Sequence, residues 1–337
     1  MRWAARSSRA IGAVFALACG PLFTLACGVL GSDEDVDLDH LVQIPRGFPP
    51  MEVPDHNPTT PEGVALGRQL YYDQRLSNGG ARACADCHLQ ERAFSNPAAS
   101  GVLAHVNLAW SRYFLWDGSE EGTLEDVMRF EVEEFFQTDV ERLREPDLEE
   151  MFQAAFGTPE ITTERAALAL AQFQRTLVSG NSPYDRYMQG DRSALSASEV
   201  RGMKLFYSER AECFHCHATA LFTDNLFHNI GLDAEVDGTG RGAVTGRRID
   251  DGAYKTPTLR NVAVSGPYMH DDRFATLEEV VDFYSEGIVD SPTIDPLIVD
   301  PRGGGAQLSR AEREDLVAFL RALTDEGFLN EPAFGPP

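Results

Sequence analysis

The chain has 337 residues, of which 43% are hydrophobic and six are cysteine, so it is long enough for two globular domains and is not a small disulfide scaffold. Its 29 Lys and Arg residues against 53 Asp and Glu residues give a formal net charge of -24. This charge repels phosphate backbones, so we expect no nucleic-acid partner; by itself it selects no function.

The first 27 residues have the pattern of a secretory signal peptide. Three arginines and no acidic residue precede an apolar run over 11–27, which Gly20 and Pro21 interrupt and an acidic stretch follows. The run is too short and too broken for a membrane-spanning anchor. We therefore expect an exported, periplasmic protein, and the L-A-C-G sequence at 25–28 makes Cys27 a candidate for a lipid anchor.

The rest of the chain predicts a mostly α fold. Residues 28–60 are acidic and then rich in proline, which favours an extended lead-in. The sequence predicts a helix from about Pro61, a buried helix over 163–178, and helices that begin at capping boxes on Ser196 and Ser309. The glycine-rich stretch 231–252 predicts a long surface loop. Strand patterns are scarce.

The cysteines outside the signal peptide form two C-x-x-C-H motifs, C-A-D-C-H at 84–88 and C-F-H-C-H at 213–217. This string attaches c-type haem: two thiols add to the haem vinyl groups and the adjacent imidazole binds the iron. Two disulfides or a zinc site are the alternatives, but neither explains the histidine that follows both pairs. The sequence therefore predicts two covalent haems, held by Cys84, Cys87, Cys213 and Cys216, with His88 and His217 as proximal ligands.

The segments around the two motifs repeat. G-R-Q-L-Y-Y at 67–72 precedes the first motif and G-M-K-L-F-Y at 202–207 precedes the second. This repeat predicts two cytochrome c-like haem domains in tandem, over 61–185 and 190–327. We expect Gly67 and Gly202 to allow close packing of a helix, because glycine otherwise weakens a helix.

With these motifs, the chain closely resembles the bacterial di-haem cytochrome c peroxidase family. The family includes the related di-haem enzyme that matures the tryptophylquinone cofactor of methylamine dehydrogenase. The resemblance covers residues 44–327. Besides the two haem motifs it rests on N-L-A-W at 107–110, W-D-G at 116–118, S-P-Y-D-R-Y at 182–187, F-H-N-I-G at 227–231, K-T-P-T-L-R-N at 255–261 and P-Y-M-H-D at 267–271.

The resemblance implies a division of labour between the haems. The N-terminal haem would react with hydrogen peroxide, and the C-terminal haem would accept electrons from a small c-type cytochrome or cupredoxin. Trp116 of W-D-G would lie between the haems and assist electron transfer. The family also binds calcium between its domains; Ser265 and Pro267 match two ligands, whereas the segment near Gly101 lacks the third. The resemblance leaves a homodimer open.

The region around the first haem departs from the family pattern. The loop that carries a haem-capping histidine in many relatives is missing, so His105 is the only candidate distal ligand, and an open sixth position is favoured. Where the family has a catalytic glutamate this chain has Gln137, which can orient peroxide but cannot act as a base. The preceding acidic residues are the alternatives, unless they form a solvated face: Glu131, Glu133 and Glu134.

The sixth ligand of the C-terminal haem is a methionine in family peroxidases and a tyrosine in the maturation enzyme. Counting from L-E-E at 277–279 puts Tyr284 at this position, on one helical face with Leu277, Val280 and Val281. Met269 is the competing ligand. A bound phenolate would lower the reduction potential of this haem.

Three functions follow from these observations. The leading hypothesis is a periplasmic cytochrome-c peroxidase that reduces hydrogen peroxide to water. The second is an oxidant that matures a tyrosine or tryptophan of a partner protein. The third is a plain di-haem electron-transfer protein, which the missing glutamate favours.

Overall fold

The computed structural model describes residues 41–298 and 300–337, so the predicted signal peptide and Cys27 lie outside the described residues. The described part is mostly helical, which confirms the predicted fold class. Residues 42–60 contain turns but no helix or strand. Within the described ranges, no helix is long and apolar enough to cross a membrane.

The described α-helices, in chain order, are α1 (Pro61–Tyr72), α2 (Cys84–Cys87), α3 (Leu124–Phe130), α4 (Pro146–Phe156), α5 (Thr163–Thr176), α6 (Pro183–Met188), α7 (Ala197–Phe206), α8 (Phe214–His217), α9 (Arg241–Thr245), α10 (Leu277–Asp282), α11 (Arg310–Arg321) and α12 (Glu326–Asn330). Two of them continue into a π-helical turn, α3 into π1 (Glu131–Phe135) and α10 into π2 (Phe283–Gly287). Four short strands form two antiparallel pairs: β1 (Tyr113–Phe114) with β2 (Glu120–Glu121), and β3 (Phe227–His228) with β4 (Tyr254–Lys255).

The predicted helix starts agree with the structure. Helix α1 begins at Pro61 because the Thr60 hydroxyl accepts the backbone N–H of Gly63 at 3.0 Å. The capping boxes at Ser196 and Ser309 start α7 and α11.

The stretch 231–252 is more ordered than the predicted surface loop. Helix α9 and a 3-10 turn (Arg248–Asp250) lie within it. Gly240 and Gly246 flank α9 with φ of 58° and 67°, left-handed backbone that glycine adopts at little cost. The glycines of this stretch therefore end a short helix rather than signal an open loop.

The structure has two hydrophobic cores. Helices α1, α3, α4 and α5 form the first, and α7, α10 and α11 form the second. Helix α12 follows the second core in sequence, yet Phe328 packs in the first core, with its ring 5.7 Å from that of Phe94. The C-terminal end of the chain thus returns to the first core.

A buried hydrogen-bonded joint connects the two cores at Ser179. Asn107 exchanges two hydrogen bonds with the Ser179 backbone, at 3.0 and 2.9 Å. Asn261 donates to the Ser179 hydroxyl at 2.9 Å and accepts the backbone N–H of Asp325 at 2.7 Å. Because each group is buried, losing one partner would leave the other unsatisfied. The joint fixes the two cores relative to each other.

The two glycines before the haem motifs occupy matching places in the two cores. A Cβ at Gly67 would lie 2.0 Å from the carbonyl oxygen of Ala169 in α5, and a Cβ at Gly202 would lie 1.9 Å from that of Asp315 in α11. Each glycine therefore lets two helices approach to backbone contact, as the sequence predicts.

Gly67→Ala is expected to lower the free energy of unfolding by about 1–3 kcal/mol, because the added methyl group overlaps the neighbouring backbone. At an open helical site the same change would instead stabilise by roughly 0.5–1 kcal/mol. Gly79→Ala is the control, since a Cβ there meets nothing within 4 Å. Urea unfolding of wild type and the two variants, all haem-loaded, measures the loss at Gly67 against the control; a Gly67→Ala protein more stable than wild type would contradict the packing.

Candidate functional site

Both C-x-x-C-H motifs face one cavity of about 750 Å³. All four cysteines of the motifs are free thiols, so the disulfide alternative is not realised in the structure. Most of the lining is apolar, and it comes from both cores and from the segments between them. The space between the motifs is therefore mostly apolar.

The first motif places a neutral imidazole at the cavity wall. His88 Nδ1 lies 2.7 Å from the carbonyl oxygen of Phe94. A carbonyl oxygen only accepts hydrogen bonds, so Nδ1 carries the proton and Nε2 keeps its lone pair. Burial lowers the pKa of His88 to about 4, although the hydrogen bond to Phe94 opposes this shift. His88 is thus fixed in the tautomer that a metal ligand requires.

The second motif repeats this geometry. His217 Nδ1 lies 2.7 Å from the carbonyl oxygen of Phe222, and burial lowers the pKa of His217 to about 4 against the same kind of hydrogen bond. Phe94 and Phe222 are fully buried, and both adopt left-handed backbone, with φ of 58° and 52°. This uncommon conformation aims the two carbonyl oxygens at the imidazoles.

His105 lies beside His88 and not across the cavity from it. The two rings stack with centroids 3.5 Å apart. Two rings in face-to-face contact leave no room for a porphyrin between them, so the structure does not bring His105 to the distal position considered from the sequence. Its Nδ1 is within hydrogen-bond distance of Tyr71 Oη (3.1 Å) and Gln174 Nε2 (2.8 Å), and burial and the neighbouring His88 lower its pKa well below the usual value.

Trp116 lines the same cavity as both haem motifs. Its indole N–H donates to the carbonyl oxygen of Gly101 at 3.1 Å, and its own carbonyl oxygen accepts the backbone N–H of Lys255 at 2.8 Å. These two hydrogen bonds hold Trp116 by its indole N–H and by its backbone carbonyl.

The residues expected to act on peroxide are separated by the π1 turn. Gln137, Glu133 and Glu134 are exposed and do not line the cavity. The buried side chain of Phe136 takes the inward position next to Gln137, and Glu133 turns back to accept a hydrogen bond from Thr163 at 2.8 Å. Among the four candidates only Glu131 lines the cavity.

Tyr284, in π2, and Met269 both line the cavity, and so do Leu277, Val280 and Val281 of α10, as expected for residues that share one face with Tyr284. Burial raises the pKa of Tyr284, and the nearby Cys216 and Cys213 add to this shift. The phenol therefore stays protonated in cofactor-free protein, close to the thiols of the second motif.

The two predicted calcium ligands, Ser265 and Pro267, also line the cavity. A few residues further along the chain, the Asp272 carboxylate accepts hydrogen bonds from the Ser100 hydroxyl at 2.6 Å and the Gly101 N–H at 2.9 Å. Calcium at this place stays a prediction.

His228 sits among groups that resemble a metal site, together with Cys216 and Asp224. Its ring nitrogens lie 2.9 Å from Asp224 and 2.6 Å from Asp295. Burial alone would lower the pKa of His228. Hydrogen bonds, of which the one to Asp224 has the largest effect, instead raise this pKa to about 11. Both ring nitrogens are thus engaged by carboxylate oxygens.

The cavity fits a pair of c-type haems. It offers four free thiols and two neutral imidazoles with free Nε2 atoms. The buried side chain of Lys255 also lines the cavity and has no carboxylate at ion-pair distance in the described chain. Burial lowers the pKa of Lys255 to about 8, although the charge of Asp224 opposes this shift. An anionic group in the cavity, such as a haem propionate, would supply the missing counter-charge.

Sequence reasoning missed one contribution to this site and did not single out another. Lys255 was read only as part of a family motif, although its strand partner Phe227 belongs to another such motif. Glu131 was one of several acidic alternatives. A second repeat in the sequence distinguishes Glu131 from the other acidic residues, because it pairs Glu131 with Tyr284: T-L-E-D-V-M-R-F-E at 123–131 and T-L-E-E-V-V-D-F-Y at 276–284.

Comparison with known proteins identifies the family. The di-haem cytochrome c peroxidase family profile matches residues 61–193. The "Methylamine utilization protein MauG" of Methylorubrum extorquens is 40% identical over 297 residues, which cover 81% of each chain. This chain belongs to the di-haem cytochrome c peroxidase family.

Proteins whose names give different activities resemble this chain. "Cytochrome-c peroxidase IdrP1" of Pseudomonas sp. (strain SCT) is 31% identical over 331 residues, 82% of this chain and 84% of that protein. The crystal structure of "a MauG-like protein associated with microbial copper homeostasis" matches 88% of this chain and 98% of its own, with a TM-score of 0.78 and 34% identity. The family thus spans peroxidases and MauG-type proteins.

Replacing Cys84 and Cys87 together with alanine is expected to leave the protein with one covalent haem instead of two, because the second motif is intact. Intact-mass spectrometry of protein made with a cytochrome c maturation system measures the number. The Cys213 and Cys216 double variant is the reciprocal control. Two haems in either variant would contradict the assignment.

Tyr284→Phe is expected to convert a low-spin ferric signal of the C-terminal haem to high spin, because the phenolate would no longer bind the iron. Met269→Leu is the matched variant of the competing ligand. EPR of the ferric proteins decides between the two residues. An unchanged spectrum for Tyr284→Phe together with a change for Met269→Leu would assign the ligand to methionine.

Proposed function

We propose that this chain is a periplasmic di-haem peroxidase that reduces hydrogen peroxide to water with two electrons from a small redox protein. One observation carries the proposal: both haem motifs and Trp116 line the same cavity, and each motif presents a neutral imidazole with a free Nε2. The haems, when bound, supply the redox chemistry. The reaction consumes one peroxide, two electrons and two protons and releases two waters.

The chain's own residues prepare this reaction. His88 and His217 would ligate the irons from one side through Nε2, each held by a backbone carbonyl. The mostly apolar walls lower the local dielectric constant, which strengthens electrostatic interactions in the site. Trp116 offers an indole in the cavity that both motifs face, as an intermediate site for electrons passing from the C-terminal to the N-terminal side.

A small c-type cytochrome or cupredoxin is the proposed electron donor. The net charge of -24 favours a donor with a basic face, since long-range attraction raises the association rate. The rate of electron delivery should then fall as ionic strength rises.

A second candidate function is the oxidation of a tyrosine or tryptophan in a partner protein. Tyr284 in the lining of the C-terminal side favours it, because a phenolate ligand stabilises high oxidation states of iron and suits a store of oxidising equivalents. The similarity to MauG points the same way. Both candidates share the reduction of hydrogen peroxide at the N-terminal site and differ in the source of the electrons.

Haem-loaded wild-type protein is expected to consume peroxide and to oxidise two donor molecules for each peroxide. Trp116→Phe should slow this turnover while both haems stay bound, because the ring volume is largely kept and only the indole is lost. Trp110→Phe is the control, since the Trp110 indole donates to Pro49 at 3.0 Å and does not line the cavity. Stopped-flow oxidation of reduced donor measures the rates; a wild-type rate in Trp116→Phe would make Trp116 a packing residue.

A further inference from the structure

The two haem sites share a structural unit that the haem motifs alone do not reveal. Residues 123–131 and 276–284 have the same Thr, Leu, Glu, Val and Phe at matching positions. Each unit begins with a capping box on its threonine, forms a short α-helix and continues into a π-helical turn. The last residues of the two units, Glu131 and Tyr284, are therefore equivalent.

The equivalence extends to the surroundings of the two side chains. Both line the cavity. Burial is the main cause of the raised pKa of the Cys84 thiol, and the charge of Glu131 adds to it. Burial is likewise the main cause of the raised pKa of Tyr284, and Cys216 and Cys213 add to it. Each side chain thus lies near the cysteines of its own motif. A π-helical turn in such a place is often associated with function.

The Glu131 carboxyl group is not committed to a structural partner. In the described part of the chain it makes no side-chain hydrogen bond and no ion pair, whereas Glu125, in the first turn of α3, pairs with buried Arg175. Burial, with a contribution from the like charge of Glu120, raises the pKa of Glu131 to about 7. A carboxyl group with such a pKa can both accept and donate a proton at neutral pH.

We propose that Glu131 is the acid and base that acts on hydrogen peroxide at the N-terminal site, in place of the glutamate that this chain lacks at position 137. The proposal rests on the proposed peroxidase function. The carboxylate takes the proton from one peroxide oxygen and gives it to the other. As the O–O bond breaks, the protonated oxygen leaves as water, and the two electrons from the redox donor, with two solvent protons, convert the remaining oxygen to a second water.

Glu120 provides a route for those solvent protons. It is partly exposed at the β1–β2 pair. Burial raises the pKa of Glu120, and the like charges of Asp117 and Glu134 add to this shift. The charge of Glu120 in turn contributes to the raised pKa of Glu131, so these two carboxyl groups lie near one another. Because Glu120 is partly exposed, it can pass protons between the solvent and the Glu131 carboxyl group.

Glu131→Gln tests the role with haem-loaded protein, because the amide keeps the size of the side chain and its ability to donate a hydrogen bond but cannot carry a proton between two atoms. We expect the rate constant for the reaction with peroxide to fall on the order of 10²- to 10⁴-fold. Association of hydrogen cyanide with the ferric protein should also slow, because hydrogen cyanide loses its proton when it binds and Glu131 would accept that proton. Binding of carbon monoxide to the ferrous protein needs no proton transfer and should stay within about 2-fold of wild type.

Glu150→Gln is the matched control, since Glu150 is exposed on α4 and away from the cavity lining. Unchanged peroxide and cyanide rates in Glu131→Gln, with a faster peroxide reaction in Gln137→Glu, would overturn the proposal. A change of the resting EPR spectrum in Glu131→Gln would also overturn it and make Glu131 an iron ligand. Failure of the proposed function is distinguishable, because the wild-type protein itself would then not react with peroxide.

Discussion

The site depends on one hydrogen bond made twice, from the Nδ1–H of a motif histidine to the carbonyl oxygen of a buried phenylalanine. It holds His88 against Phe94 and His217 against Phe222, at 2.7 Å in both cases. Each bond selects the tautomer with Nε2 free and sets the direction of the ring. The phenylalanines can offer these carbonyl oxygens because their left-handed backbone is held by complete burial in the two cores.

Around this shared geometry the two sites differ in ways that suit different tasks. On the N-terminal side, His88 is stacked on His105, and the π-helical turn presents a carboxyl group. On the C-terminal side, the equivalent turn presents the phenol of Tyr284. A carboxyl group that exchanges protons near neutral pH suits peroxide chemistry, whereas a phenol suits iron ligation. The two sites thus share a helix-and-turn unit and differ in the side chain that this unit presents to the cavity, Glu131 on one side and Tyr284 on the other.

The fold class, the helix caps and the haem motifs could be predicted from sequence because each depends on short-range chemistry: capping boxes at Ser196 and Ser309, and thiol spacing in C-x-x-C-H. The distal residues could not, because position counting assumes a regular helix. The π1 turn changes the register, so that Gln137 faces solvent and Glu131 faces the cavity. The stacking of His105 on His88 depends on folded contacts between distant segments.

The most direct test of the peroxidase account is the EPR and electronic spectrum of the ferric di-haem protein before and after one equivalent of hydrogen peroxide. The account predicts a high-spin signal from the open N-terminal haem that is lost within the mixing time, with a change at the C-terminal haem as Trp116 connects the two sites. Two low-spin haems whose spectra do not respond to peroxide would contradict it and leave a plain electron-transfer protein.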